Sequence, residues 1–205
     1  MKRDELTAAS IIEQYPMLIT LPDITPNNGI GHIIKAFNIS STSDIDNLST
    51  HEVGYLALCL LPHILQPRTI QGKERKRDRF STSTALSHLI QFEKAGNSMY
   101  AALDALKKEK DVTQPCILAF TQTGSMGGKL CDIFVIVDAV SIMIPDVNVS
   151  VSVETLFASF FTFNLSYPPS LCGVYSLFEM LFGVMPSIKS TLAVADLYSR
   201  IISAA

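Results

Sequence analysis

Cys116-Ile-Leu-Ala-Phe120, Thr121-Gln-Thr-Gly-Ser-Met-Gly-Gly-Lys129 and Cys131-Asp-Ile-Phe-Val-Ile-Val137 form the stretch that decides the fold. Two short β-branched and aromatic runs flank a glycine-rich connection, which is the pattern of a hairpin. Pro115 opens the first strand, and Val140–Ile144 continues the second or forms a third before Pro145-Asp146 closes the unit. Downstream the apolar residues take a helical period. The spacing predicts helices over 151–164, 170–182 and about 190–203, the first two meeting at Tyr167-Pro168-Pro169.

Upstream, residues 4–15 read as a helix ended by Tyr15-Pro16, and residues 21–31 as a Pro/Asn/Gly loop. Thr50 is the expected cap of a leucine-rich helix, apolar on nearly every side, that Pro62 and Pro67 bend or stop. Gln66–Phe80 is the most polar stretch and reads as an exposed loop. Helices are expected over Ser81–Phe92 and Met99–Lys110, broken by Gly96-Asn97. The expected fold is therefore α+β. It is a helix-rich single domain with a small antiparallel sheet at about 115–144, packed by C-terminal helices. Residues 1–66 would form a helical subdomain, 67–80 a basic loop, and 81–205 the α+β core.

Composition narrows the function classes. The 205 residues are 48% hydrophobic and 17% charged, with mean hydropathy +0.30 and net charge −3, which argues against disorder and against a generally basic, nucleic-acid-binding surface. After Lys129 the only cations are Lys189 and Arg200, against Asp132, Asp138, Asp146, Glu154, Glu179 and Asp196. The four cysteines lack metal spacing and read as buried thiols in an intracellular, reducing compartment. Met1-Lys2-Arg3-Asp4-Glu5-Leu6 lacks the apolar core of a signal peptide. Thr155–Phe178 carries no charge, yet Asn164, Ser166 and the Pro-Pro corner interrupt it, so two core helices explain it better than a membrane span.

No catalytic constellation emerges. Gly124-Ser-Met-Gly-Gly-Lys129 differs from a phosphate loop in having Thr123 and Leu130 at the flanking positions and a strand rather than a helix after it. His32, His51, His63 and His88 stand on different elements without ligand spacing, and no Gly-x-Ser-x-Gly elbow occurs. Asp132 and Asp138 border one strand without further ligands, and no cofactor or metal site is read. Two features remain. Lys73, Arg75, Lys76, Arg77 and Arg79 form a basic patch that fits a minimal nuclear-import pattern or a phosphate-contacting loop. Phe157, Phe160, Phe161 and Phe163 form an aromatic stripe dense enough to serve a core and an interface together.

The order Pro115 to Phe120, Asp132 to Asp138, Ile144-Pro145, Val153 to Phe157, Phe163-Asn-Leu-Ser-Tyr-Pro168 and Phe178 to Gly183 resembles a group of animal proteins. These are uncharacterised proteins of fish and invertebrate genomes, compared over their C-terminal region. Some are named as similar to sterile alpha motif domain proteins. Ile11 to Pro16, Leu56–Leu65 and the basic run before Phe80-Ser81 extend the similarity over most of the chain. The resemblance implies an interaction module cut from a larger or mobile-element-related protein. It transfers no catalytic residue, and the chain lacks the sterile alpha motif domain itself. The expectation is a non-enzymatic protein-interaction module, nuclear rather than cytoplasmic, with a protein partner or a second copy bound through the aromatic stripe. The alternative is a nucleic-acid-associated factor acting through residues 73–79. Neither a membrane nor a small-molecule substrate is expected.

Overall fold

The computed structural model describes residues 48–67, 70–71, 77–78, 80–108, 115–138, 140–185, 187 and 190–204. The helix expected at 4–15 and the loop at 21–31 lie outside them. Among the described residues the order is α1 (Thr50–Ile64), β1 (Ile70–Gln71), β2 (Arg77–Asp78), α2 (Thr82–Leu89), β3 (Ile90–Lys94), α3 (Met99–Lys108), β4 (Cys116–Thr121), β5 (Leu130–Val137), β6 (Val140–Met143), α4 (Val149–Thr162), α5 (Cys172–Leu181) and α6 (Leu192–Ala204). Single 3-10 turns, Pro145–Val147 and Pro169–Leu171, introduce α4 and α5.

The α+β class is as expected, and the sheet is larger. It has four strands in the order β3-β4-β5-β6, antiparallel except for β3, which pairs with β4 in parallel. The helix expected over Ser81–Phe92 stops at Leu89. Ile90 turns extended (φ −143°, ψ 132°), and Ile90–Lys94 becomes an edge strand. Leu86, Leu89 and Ile90 satisfy a helical period, so the local pattern hides the change. Pairing with a strand far along the chain supplies what the local signal does not. Parallel neighbours require a crossover, and α3 provides it.

Alternation along the strands separates two cores. Ile117, Ala119, Ile133, Val135 and Val137 face the main core, built with α1, α2, α4, α5 and α6. Cys116, Leu118, Phe120 and Ile136 face the other way, onto Ala102 and Leu106 of α3. Among the described residues, α3 thus covers one face of the sheet, and α2 and α4 lie on the other, with α1, α5 and α6 completing the main core. α1 is buried from Val53 through His63, as its all-round apolar sequence demands, and it joins the same core as residues 81–204. Its cap is Ser49 rather than Thr50. The Ser49 hydroxyl accepts from the Glu52 N–H, and the Glu52 carboxylate accepts in return from Ser49. Pro62 lies in the last turn and does not end the helix, which runs on to Ile64.

The glycine-rich segment is the hairpin connection between β4 and β5, with no helix behind it. Gly124 takes φ +73°, and a Cβ there would lie 3.0 Å from the Lys94 Cβ and 3.2 Å from its backbone N. Glycine is what lets this loop close against the end of β3. Farther on, the His88 ring nitrogen and the Ser170 hydroxyl lie 2.6 Å apart, tying α2 to the turn before α5.

Candidate interaction groove

The aromatic stripe divides by depth. Phe157 (5% exposed) and Phe160 (2%) are core residues, whereas Phe161 (52%) and Phe163 (55%) stand at the surface. A helical period of 3.6 turns Phe161 about 100° from Phe160 on α4, and Phe163 follows at the cap. Phe157 packs against Phe178 and Phe182 at ring-centroid distances of 6.4 and 4.7 Å, which anchors α4 on α5.

Where α4 ends, the chain builds a groove. Asn164 adopts the left-handed conformation (φ 50°), Asn164 N–H bonds the Phe161 carbonyl at 3.2 Å, and Leu165 N–H bonds the Phe160 carbonyl at 2.8 Å. This is a Schellman turn. α5 ends identically. Gly183 (φ 66°) bonds the Met180 carbonyl at 3.3 Å, and Val184 bonds the Glu179 carbonyl at 2.8 Å. Between the two helix ends lies an open cavity of about 450 Å³, lined by Phe160, Phe161, Leu165, Tyr167, Glu179 and Met185, with Asn164, Ser166 and Ser187 also on its wall.

Tyr167 and Glu179 set its polarity. The Tyr167 ring stacks on Tyr175, with centroids 4.4 Å apart and planes 6° apart. Its hydroxyl donates to Glu179 Oε1 at 3.2 Å, and the Ser187 N–H donates to Oε2 at 3.2 Å. Burial, together with the adjacent carboxylate, pushes the Tyr167 phenol above its ordinary pKa. Glu179 itself is 1% exposed, and no cation pairs with it among the described residues. Neither α4 nor α5 has a basic residue in its last turn. Among the described residues, a carboxylate and two helix C-termini without a basic side chain in their last turns therefore meet beside one cavity.

A second depression, about 380 Å³, lies between Ser49, His51, Glu52, Lys129, Leu130 and Val147. Its carboxylate is already committed to the α1 cap. Lys73, Arg75, Lys76 and Arg79 lie outside the described residues, and of Arg77 the structure describes only the backbone, in the β1–β2 hairpin. Among the described residues no cluster of His, Cys, Asp and Glu could hold a metal, and no helix is long and apolar enough to cross a membrane. Cys59 and Cys116 are buried, Cys131 and Cys172 partly so, and burial pushes the Cys59 thiol up in pKa.

Sequence reasoning singled out Phe161 but missed Tyr167, Glu179 and Met185. Glu179 had left a signal. It ends the charge-free run Thr155–Phe178 inside an apolar helix, at an end where acids are disfavoured. In comparisons with known proteins the chain matches no family model, no curated protein and no solved structure.

Proposed function

We propose that this chain is a non-enzymatic protein-interaction module whose docking face is the groove between the ends of α4 and α5. The observation that carries the reading is the surface around that groove. Phe161 and Met185 (89% exposed) present bare apolar side chains on a cavity whose floor is packed and hydrogen-bonded, and Phe163 is exposed one residue before Asn164 of its wall. Large exposed aromatics next to an ordered concave site are what protein partners bury. Residence in the nucleus belongs to the same proposal and rests on Lys76-Arg77-Asp78-Arg79.

Site-specific photo-crosslinking in cells tests the proposal. A benzophenone side chain at position 161 gives a discrete protein adduct. The same group at position 100, an exposed tyrosine on α3 across the sheet, gives none. Replacing both Phe163 and Met185 by Ala removes the adduct and leaves the melting temperature unchanged. Equal or absent labelling at the two positions would sink the docking face. A fluorescent fusion in the same cells reports location, and loss of nuclear signal on changing Lys76, Arg77 and Arg79 to Ala is the expected result.

A further inference from the structure

We infer that the outer edge of β6 is a second docking surface, one that takes an extended apolar peptide strand flanked by basic residues. It shares no residue with the groove and does not depend on the reading of the groove.

Hydrogen-bond register identifies the groups on offer. β6 stands at the end of the sheet, and no strand pairs with its outer side among the described residues. The Ile144 N–H donates to the Ile133 carbonyl at 3.0 Å, and the same register pairs Ile142 with Val135 and Val140 with Val137. In an antiparallel ladder, hydrogen-bonded pairs alternate with non-hydrogen-bonded ones. Ile142 and Val140 therefore bond β5 through their backbone groups, and Ser141 and Met143 turn theirs outward. Two N–H and two C=O groups in one row are the template for an added strand.

The strand also lacks the features that keep sheet edges apart. Val140–Met143 carries no charge and no proline, and its register with β5 has no bulge. The opposite edge strand, β3, ends in Glu93 and Lys94. Ile144, Ile142 and Val140 form one row on the core face of the sheet, rising from 3% to 38% and 64% exposed, while Met143 (64%) stands on the other face. An added strand continues both rows and covers them. Charge then selects the occupant. Asp138 and Asp146, both exposed, stand at the two ends of β6. Consider a second copy in the two-fold register where Ser141 of one chain and Met143 of the other satisfy each other. Asp138 of each copy then falls level with Asp146 of the other, and like charges set opposite one another are destabilising. A partner strand with Lys or Arg at both ends meets each aspartate with the opposite charge.

The test titrates the isotope-labelled full chain by NMR with the peptide Lys-Lys-Val-Thr-Val-Thr-Val-Lys-Lys. With its central Val opposite Ile142, its end lysines lie level with Asp146 and Asp138. The amide resonances of Ser141 and Met143 are the reporters. One comparison peptide carries Glu for every Lys, and another carries N-methyl groups on both Thr, whose N–H groups would meet β6. The basic peptide is expected to bind about tenfold more tightly than the acidic one at low salt, with a smaller preference at high salt. It should slow exchange of the Ser141 and Met143 amides, and the N-methylated peptide should not bind. Asp138→Asn combined with Asp146→Asn keeps side chains that tolerate the left-handed backbone at both positions (φ 46° and 55°) and should abolish the preference for basic ends. Equal binding of the basic and acidic peptides overturns the inference and leaves an edge without charge selection. Ser141 and Met143 amides already protected from exchange in the free chain overturn it as well. Protection independent of concentration means that another part of this chain covers the edge, and protection that rises with concentration means that a second copy does. Exposed amides that bind no peptide overturn it too, while an adduct at position 161 would still stand for the groove.

Discussion

Glu52 shows at the scale of one residue how a local signal becomes a measurable property. Its carboxylate accepts from the Ser49 hydroxyl at 2.7 Å and from the Ser49 N–H at 2.9 Å, and these bonds hold its pKa below the usual carboxylate value. A pKa that is lower folded than unfolded contributes stability above the unfolded value, and that contribution is lost as pH falls through the folded one. Glu52→Ala should therefore lower the melting temperature at neutral pH. The gap to the parent protein should close below about pH 4, where carboxylates protonate. A gap that stays constant with pH would show that the charge on Glu52 does not matter. The Ser-x-x-Glu pattern was legible in the sequence, although the cap was expected one residue late. The exposure of Phe161 beside the burial of Phe160 was not legible, because adjacent identical side chains carry no sign of which one meets a neighbour.

Positive-φ residues end the two helices beside the groove, and prolines do not. Asn164 and Gly183 close α4 and α5, while Pro62 sits inside α1 without ending it. Gly96 and Gly124 sit in the adjacent loops that follow the parallel strands β3 and β4, and they separate two costs. Gly96 has φ +89° and open space where a Cβ would sit, so Gly96→Ala bears backbone strain alone, about 1 kcal/mol. Gly124→Ala adds contacts of 3.0–3.3 Å with Lys94, much of it backbone, and should cost about 2–3 kcal/mol. Urea denaturation of the two variants measures the difference, and equal losses would refute the close approach. Helix and hairpin existence followed from periodicity to within a few residues. The boundary at Leu89 did not, because Ile90 and Phe92 gain their strand pairing only from β4.

Across the whole molecule, α1 decides how the chain is divided. Tyr55, Leu56, Leu58, Leu60 and Leu61 are buried among residues of α2, the sheet and the C-terminal helices. Those side chains cannot leave without opening the main core, at several kcal/mol for each large one removed. A fragment of residues 81–205 should therefore show no cooperative thermal transition by circular dichroism, and a sharp transition would make the upstream helix a separate subdomain after all. From the sequence alone came the α+β class, the β4–β5 hairpin, the three C-terminal helices and the presence of an aromatic stripe. All of these rest on local pattern, period two or period 3.6, which survives in a linear string. Tertiary structure alone decided the parallel edge strand, the two-faced covering of the sheet and the meeting of Tyr167, Glu179 and Met185 at two helix ends. Those depend on which distant surfaces exclude water from each other, and no local period records that.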